Sequence, residues 1–227
     1  MKQVHSTVLD ILKNNRVKGL LLDVAGGDGG FAVQLNQIGF KVVFCDMYPP
    51  SQVYTPFVQA DMNQRLPFQP EQFQTITCME SLQYFENHKL LFREFKRIIK
   101  KDGQLVLTMP NILNISSRIF FLNRGYFKYF KPFKKNQEGR EWDKIMYSPL
   151  SFVEIFQLLH GNGFQIETLA ASQYRYSELP MFLLYKGVYT LMSSARGDTK
   201  KSEMLNFLYS KEILLGDHII VIARKSI

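Results

Sequence analysis

Two cysteines and four histidines in the whole chain leave little material for cross-links or a metal centre. Cys45 and Cys78 stand apart in apolar, strand-like runs, with no CxxC spacing and no partnering histidine nearby. That is the pattern of small buried thiols in a reducing compartment. No two of His5, His88, His160 and His218 have metal-ligand spacing; no metal is expected, and each histidine reads as structural or exposed. Long apolar runs are missing as well. The longest, residues 179–192, contains Lys186 and is too short to span a bilayer. No leading segment has the charged-then-apolar build of a signal peptide, so the expected location is cytoplasmic. Acidic residues are in deficit, 20 against 28 lysines and arginines, for a net charge of +8. Such an excess points to anionic partners only where it is concentrated.

What remains is ordinary in composition, with 46% hydrophobic and 21% charged residues, and 227 residues suffice for one domain with a substantial core. Apolar spacing predicts a helix over 4–14 and a doubly buried strand over 18–24. A helix over 31–39 follows, then strands at 41–46, 57–62 and 73–79. Residues 87–101 form an amphipathic helix ended by Asp102-Gly103, and 104–110 a fifth strand. Ser148-Pro149 and a Ser151/Glu154 capping box open a helix over 148–164, with strands at 164–171 and 218–224 beyond it. Strands alternating with helices in this way argue an α/β fold, a mostly parallel sheet with helices on both faces. We expect one domain: a core over 18–111, an insertion over 112–147, and a closing part over 148–227 that carries a second insertion at 179–216.

The first strand runs into "LLDVAGGDGGFA", residues 21–32, where four of twelve positions are glycine and Asp23 and Asp28 sit close by. Glycine lets backbone approach a ligand without a Cβ in the way, and ligands of parallel sheets bind beyond the strand C-termini. Two ligands compete for such a loop. Gly27, Gly29 and Ala32 fit the dinucleotide fingerprint, with Asp46 nineteen residues after Gly27; an NAD(P)-dependent oxidoreductase is the corresponding reading. The looser acid-x-G-x-G-x-G loop of S-adenosylmethionine sites is met by Asp23, Ala25, Gly26, Gly27 and Gly29. Charge separates the two. At ~4 Å and an effective dielectric near 20, like charges repel by roughly 4 kcal/mol, so an acidic loop opposes a pyrophosphate. It attracts the ammonium and sulfonium of S-adenosylmethionine.

Five ordered stretches carry a family resemblance: the glycine loop, Asp46 after the second strand, "QADMNQRLPF" (59–68), "ITCMESLQYFEN" (76–87) and "IIKKDGQLVLTMPN" (98–111). From residue 20 to 111 the chain resembles a class I S-adenosylmethionine-dependent methyltransferase, in the subgroup related to ubiquinone and small-molecule methyltransferases. The resemblance implies a Rossmann-like seven-stranded sheet with an antiparallel last strand, which "LLGDHIIVIARK" (214–225) fits, with S-adenosylmethionine as cofactor and S-adenosylhomocysteine as product. It places Asp46 at the ribose, Asp61 and the Met62 amide at the adenine, and Met47 and Met79 among the cofactor-binding residues. Two departures stand out. Ala25 replaces the loop's first glycine, and Gln83-Tyr84 stands where relatives often have Glu-His, so no base role transfers from that histidine. "MYPP" (47–50) has the wrong order and place for the Pro-Pro-Tyr signature of amino-group DNA methyltransferases.

The charge excess gathers in 112–145, where eight basic residues face three acidic ones among eight aromatics. Three readings stand side by side: a lid with aromatics on the core and cations in water, a groove for single-stranded nucleic acid, or a membrane-surface contact made together with 179–192. "MPNILNISSRIFFLNRGYFKYF" (109–130) resembles a passage of methyltransferases from bacterial polysaccharide assembly, which implies a sugar acceptor, in some cases phosphate-bearing or lipid-linked, ahead of nucleic acid. A hydroxyl acceptor needs a base; Glu80, which either orients the loop after the fourth strand or lines the acceptor site, and Tyr84 are the first candidates, with Tyr147 after them. A non-catalytic cofactor-binding module with a partner on its basic lid is the remaining alternative.

Overall fold

The structure, a computed structural model, describes residues 2–14, 18–131, 146, 148–195 and 203–226. Its centre is a seven-stranded sheet in the order β3-β2-β1-β4-β5-β7-β6. The strands are β1 (Leu20–Val24), β2 (Lys41–Asp46), β3 (Phe57–Gln59), β4 (Phe73–Met79), β5 (Ile99–Pro110), β6 (Phe164–Ala171) and β7 (His218–Lys225). β1 through β5 pair in parallel, and β7 lies antiparallel between β5 and β6. This is the α/β, Rossmann-like arrangement expected from the sequence, antiparallel closing strand included.

Alternation along each strand divides the core between the two faces. Leu22 and Val24 of β1, Leu105 and Leu107 of β5 and Val221 of β7 point to one face. There they meet Leu91, Phe92 and Phe95 of α3 (His88–Ile98) and Phe152, Ile155 and Leu159 of α5 (Phe152–Gly161). Leu21, Val106, Ile220 and Ile222 point the other way, onto Val4, Val8 and Leu12 of α1 (Lys2–Lys13) and Phe31 and Leu35 of α2 (Gly30–Gln37). Both layers are completely buried at their centres, and each large side chain so buried contributes about 1.5–3 kcal/mol. Cys45 and Cys78 lie inside this core, where burial pushes the Cys45 thiol up to about 12.

Several boundaries move for identifiable reasons. α5 starts at Phe152 behind a complete Ser151–Glu154 capping box, so Ser148-Pro149 stays outside it. α3 stops at Ile98, and Asp102-Gly103, expected to end that helix, is instead built into the start of β5. A Cβ on Gly103 would come within 2.6 Å of the Ile99 side chain and 2.8 Å of the Lys100 carbonyl, and Asp102 has φ +58°. This tight bend accompanies a register shift against β4 between Phe73 and Thr75. β3 covers only three of the six residues predicted, which leaves Asp61 in the loop beyond it.

Both insertions are partly helical: α4 (Ile115–Arg124) in the first; α6 (Leu179–Ala195), α7 (Glu203–Leu208) and α8 (Lys211–Leu215) in the second. Residues 132–145 of the basic segment, and Tyr147, lie outside the described residues. Among the described residues no helix is long and apolar enough to cross a membrane.

Candidate active site

The strand order reverses between β1 and β4, so the crevice at their C-terminal ends is where an α/β sheet of this kind binds its ligand. The chain enters that crevice through the turn 25–29. Ala25 (φ +54°), Gly27 (φ +58°) and Gly29 (φ +77°) are all left-handed, and α2 begins directly after them. At Gly29 a Cβ would sit 2.9 Å from the Phe44 ring, so sterics and backbone angle both demand glycine there. At Ala25 the chain tolerates the left-handed angle with a methyl group attached, a strain of order 1–2 kcal/mol.

Asp46 closes the turn from the side. Its Oδ2 accepts from the Gly27 amide at 2.9 Å and its Oδ1 from the Tyr48 amide at 3.1 Å. The nineteen-residue spacing in the sequence thus becomes a direct bond between the end of β2 and the glycine turn. Asp61 is fixed in the same manner, accepting from the Asn63 amide at 2.8 Å and the Gln64 side chain at 3.1 Å. Asp23 lies beneath the turn, 1% exposed. Its Oδ1 takes the Thr77 hydroxyl at 2.6 Å while its Oδ2 has no hydrogen-bond partner among the described residues. Burial, opposed by the Thr77 bond and aided by the negative charge of Asp46, raises this carboxyl to about 7.

A cavity of about 320 Å³ opens beside the turn, within the range of small-molecule sites. Six of the residues singled out from the sequence line it: Ala25, Asp46, Met47, Asp61, Met62 and Tyr84. Tyr48, Asn63, Ser81, Phe85 and Glu86 also line it and were not anticipated; all five immediately follow a residue that was, or lie within two positions of one. Gly26, Gly27 and Gly29 shape the turn at its rim, Asp23 lies below it, and Met79 is a buried residue of the α2-side core. The donor set suits a cationic ligand with hydroxyls and a flat apolar part. Carboxylates gather near the turn, one buried carboxylate oxygen lacks a hydrogen-bond partner, and Met47, Met62 and Phe85 supply apolar wall.

Glu80 goes elsewhere. It follows β4 with φ +51°, its amide bonded to the Thr108 hydroxyl and carbonyl. Its Oε2 lies 3.4 Å from Nε2 of His218, and its Oε1 is buried without a hydrogen-bond partner among the described residues. His218 Nδ1 is 3.7 Å from Asp217, whose other oxygen takes Arg175 at 2.5 Å and the Tyr129 hydroxyl at 3.3 Å. Arg175 also donates to the Ser116 hydroxyl at 3.0 Å. Burial raises the Glu80 carboxyl, while the adjacent Asp217 carboxylate, with help from Glu80, raises His218 above 6.5. His218 and Arg175 together hold Asp217 well below the usual carboxylate range. Tyr84 connects this cluster to the cavity: it lines the wall, and burial and then the Glu80 charge push its phenol up.

His218, read from sequence as structural or exposed, is therefore half-buried between two carboxylates at the C-terminal edge of the parallel strands. Only the topology brings it there, since antiparallel β7 starts opposite the end of β5, with His218 facing Pro110. Asn111 anchors the segment before it, donating to the carbonyls of Ile213 at 2.8 Å and Gly216 at 2.9 Å, while its amide reaches the Asp217 carbonyl at 3.0 Å. The Pro-Asn that closes the fifth sequence motif thus holds the loop presenting Asp217 and His218.

Residues 2–169 match the family model of a methyltransferase domain. An uncharacterised protein of Methanocaldococcus jannaschii, MJ1123, is 25% identical over 177 residues, 78% of each chain. Among solved structures, an S-adenosylmethionine-dependent methyltransferase of Archaeoglobus fulgidus superposes with a TM-score of 0.64 at 13% identity, covering 99% of this chain and 94% of its own. A phosphoethanolamine N-methyltransferase of Haemonchus contortus, solved with S-adenosylmethionine, gives 0.55 at 16% identity, covering 98% of this chain and 52% of its own. With three-quarters of its length matched and the acidic glycine turn in place, the chain belongs to the methyltransferase-domain family, and its methyl donor is S-adenosylmethionine.

Proposed function

We propose that the protein methylates a hydroxyl oxygen of a small-molecule acceptor, a sugar or a glycan precursor, in some cases carried on a lipid, with Glu80 as proton acceptor. The observation that supports this most is the buried, unpartnered Oε1 of Glu80 on a strained residue next to the cavity wall. Strain and an unsatisfied buried oxygen are costly, and they concentrate where chemistry needs them.

S-adenosylmethionine supplies a methyl group on a sulfonium, and positive charge is lost as that group leaves. The chain's own residues have three tasks. Asp46 with Met47 and Asp61 with the Met62 amide hold the ribose and adenine ends in the cavity, and the turn 25–29 above Asp23 takes the cationic methionine end. Orientation is the second, since placing a nucleophile in line is the largest available contribution to methyl transfer. The third is removal of the hydroxyl proton. A carboxylate raised by burial is a stronger base than one in water, and His218, held by Asp217 and Arg175, fixes the other Glu80 oxygen. Tyr84 stands between cavity and cluster to guide the acceptor.

The test is methyl transfer from labelled donor to a panel of nucleotide sugars and sugar phosphates, with the parent and Glu80→Gln. An O-methyl sugar, formed at least 100-fold more slowly by the variant, is the expected product. Methylation on nitrogen, or an unaffected variant, would remove Glu80 from this role.

A further inference from the structure

We propose that α4, the residues that follow it, and α6 form a face that docks on an anionic lipid bilayer. α6 is apolar on nearly every side, a composition that ordinarily means burial. Among the described residues only one side is covered: Phe182 and Tyr185 pack on Ile115, Leu214 and Leu215, and Tyr189 stacks on Tyr209 at 4.0 Å. Met181, Leu184, Val188 and Leu191, spaced three or four apart, are exposed on the other side, with Leu183 beside them. α4 continues the surface. Its Arg118 guanidinium lies 5.5 Å over the Tyr185 ring, and Leu122 near its end is 85% exposed. So large a set of adjacent exposed aliphatic side chains marks an interaction surface.

Charge identifies the occupant. Residues 115–131 and 179–195 contain Arg118, Arg124, Lys128, Lys131 and Lys186 and no Asp or Glu. In a symmetric dimer the same patch meets itself, which would set these cations against one another with no carboxylate between them. A protein partner would look for roughly one hydrogen bond per 100–200 Å², and the exposed stripe of α6 is Met, Leu and Val. Aliphatic side chains beside lysines and arginines are instead what an interfacial helix offers to acyl chains and anionic headgroups. At 17 residues α6 is about 26 Å long, suited to lying in the interface. This deepens the reading of a lipid-carried acceptor, but it can be tested without one.

The test is flotation of the full chain with vesicles of phosphatidylglycerol and phosphatidylcholine, or of phosphatidylcholine alone, at low and high salt. Binding is expected on the anionic vesicles, weakened by salt and lost on neutral ones. Leu183→Glu with Leu184→Glu should lower it by at least tenfold, and Arg124→Gln with Lys131→Gln by about fivefold per charge removed. All four positions are exposed, and the thermal shift given by S-adenosylhomocysteine checks that each variant keeps its fold. That same shift tests the methyl-donor reading without vesicles, so the two cannot fail unnoticed together. No flotation, equal flotation on neutral vesicles, variants that bind like the parent, or a dimer in sedimentation that the leucine variant dissolves would each overturn the proposal.

Discussion

The cavity beside the glycine turn and the cluster around His218 are built by different means. Around the cavity, Ala25, Asp46, Met47, Asp61 and Met62 all come from the ends of β1, β2 and β3 or the turns just beyond them, and both carboxylates accept from backbone amides of the turns they close. At the β4–β5–β7 edge the groups come from far apart: Glu80, Tyr129, Arg175 and the Asp217–His218 pair face one another through side-chain contacts, with backbone bonds such as that from Asn111 to Asp217 holding the loop behind them. Backbone-fixed carboxylates suit a ligand that never changes. A cluster assembled from loops far apart in the chain can change one member at a time, since function resides in sites placed on a fold.

The strongest way to break the comparison is Asp46→Ala. It removes the acceptor of two backbone amides and a wall of the cavity, and charged hydrogen bonds are worth about 1.5–3 kcal/mol each. S-adenosylhomocysteine affinity by calorimetry should fall about 100-fold or more, roughly 2.7 kcal/mol, with little change at the other edge. Next comes Arg175→Ala, which leaves Asp217 partly buried without its main cation; a loss of about 2 kcal/mol in denaturant unfolding is expected, with the donor cavity intact. A variant that also lost donor affinity would show that the two halves are one unit.

Protonation sharpens the contrast further. The raised pKa of His218 means that folding favours its charged form. That stability is fully present below 6.5 and is lost as pH rises through the elevated folded value. The melting temperature should therefore fall over that window in the parent and less in His218→Gln, and Asp217→Asn should lower the imidazole pKa measured by NMR. On the donor side, Asp23 is raised to about 7, so its stability contribution declines as pH climbs from about 4 through 7. The sulfonium and ammonium of S-adenosylmethionine favour the ionised carboxyl, so S-adenosylmethionine should bind more tightly at pH 8 than at pH 6, and Asp23→Asn should flatten that slope. The smallest effect expected is from Ala25→Gly. Relief of the left-handed angle outweighs the added chain entropy by about 0.5–1 kcal/mol, read as a small rise in melting temperature.

Legibility followed the same division. The parallel sheet, its helices and the capping box of α5 were readable because apolar period and capping chemistry are local signals. So were Asp46 and Asp61, whose partners lie one turn away or one strand back. The bend at Asp102-Gly103 was misread because a glycine after a helical run looks like a stop, whether or not the chain then enters a strand at once. His218 was missed for a different reason. Nothing in its neighbourhood along the chain hints at Glu80, 138 positions earlier; only the antiparallel pairing of β7 with β5 reveals the contact.

The placement of β7 between β5 and β6 has a consequence for synthesis. The five parallel strands can pair in the order in which they emerge, but β6 has no strand to pair with until residues 218–225 have left the ribosome. Until then β5 presents an open edge, a surface prone to mispairing. When β7 arrives, a single event seals that edge, docks β6 and delivers His218 to Glu80. The nascent chain can thus shape the cavity beside the glycine turn well before the Glu80–His218 contact exists.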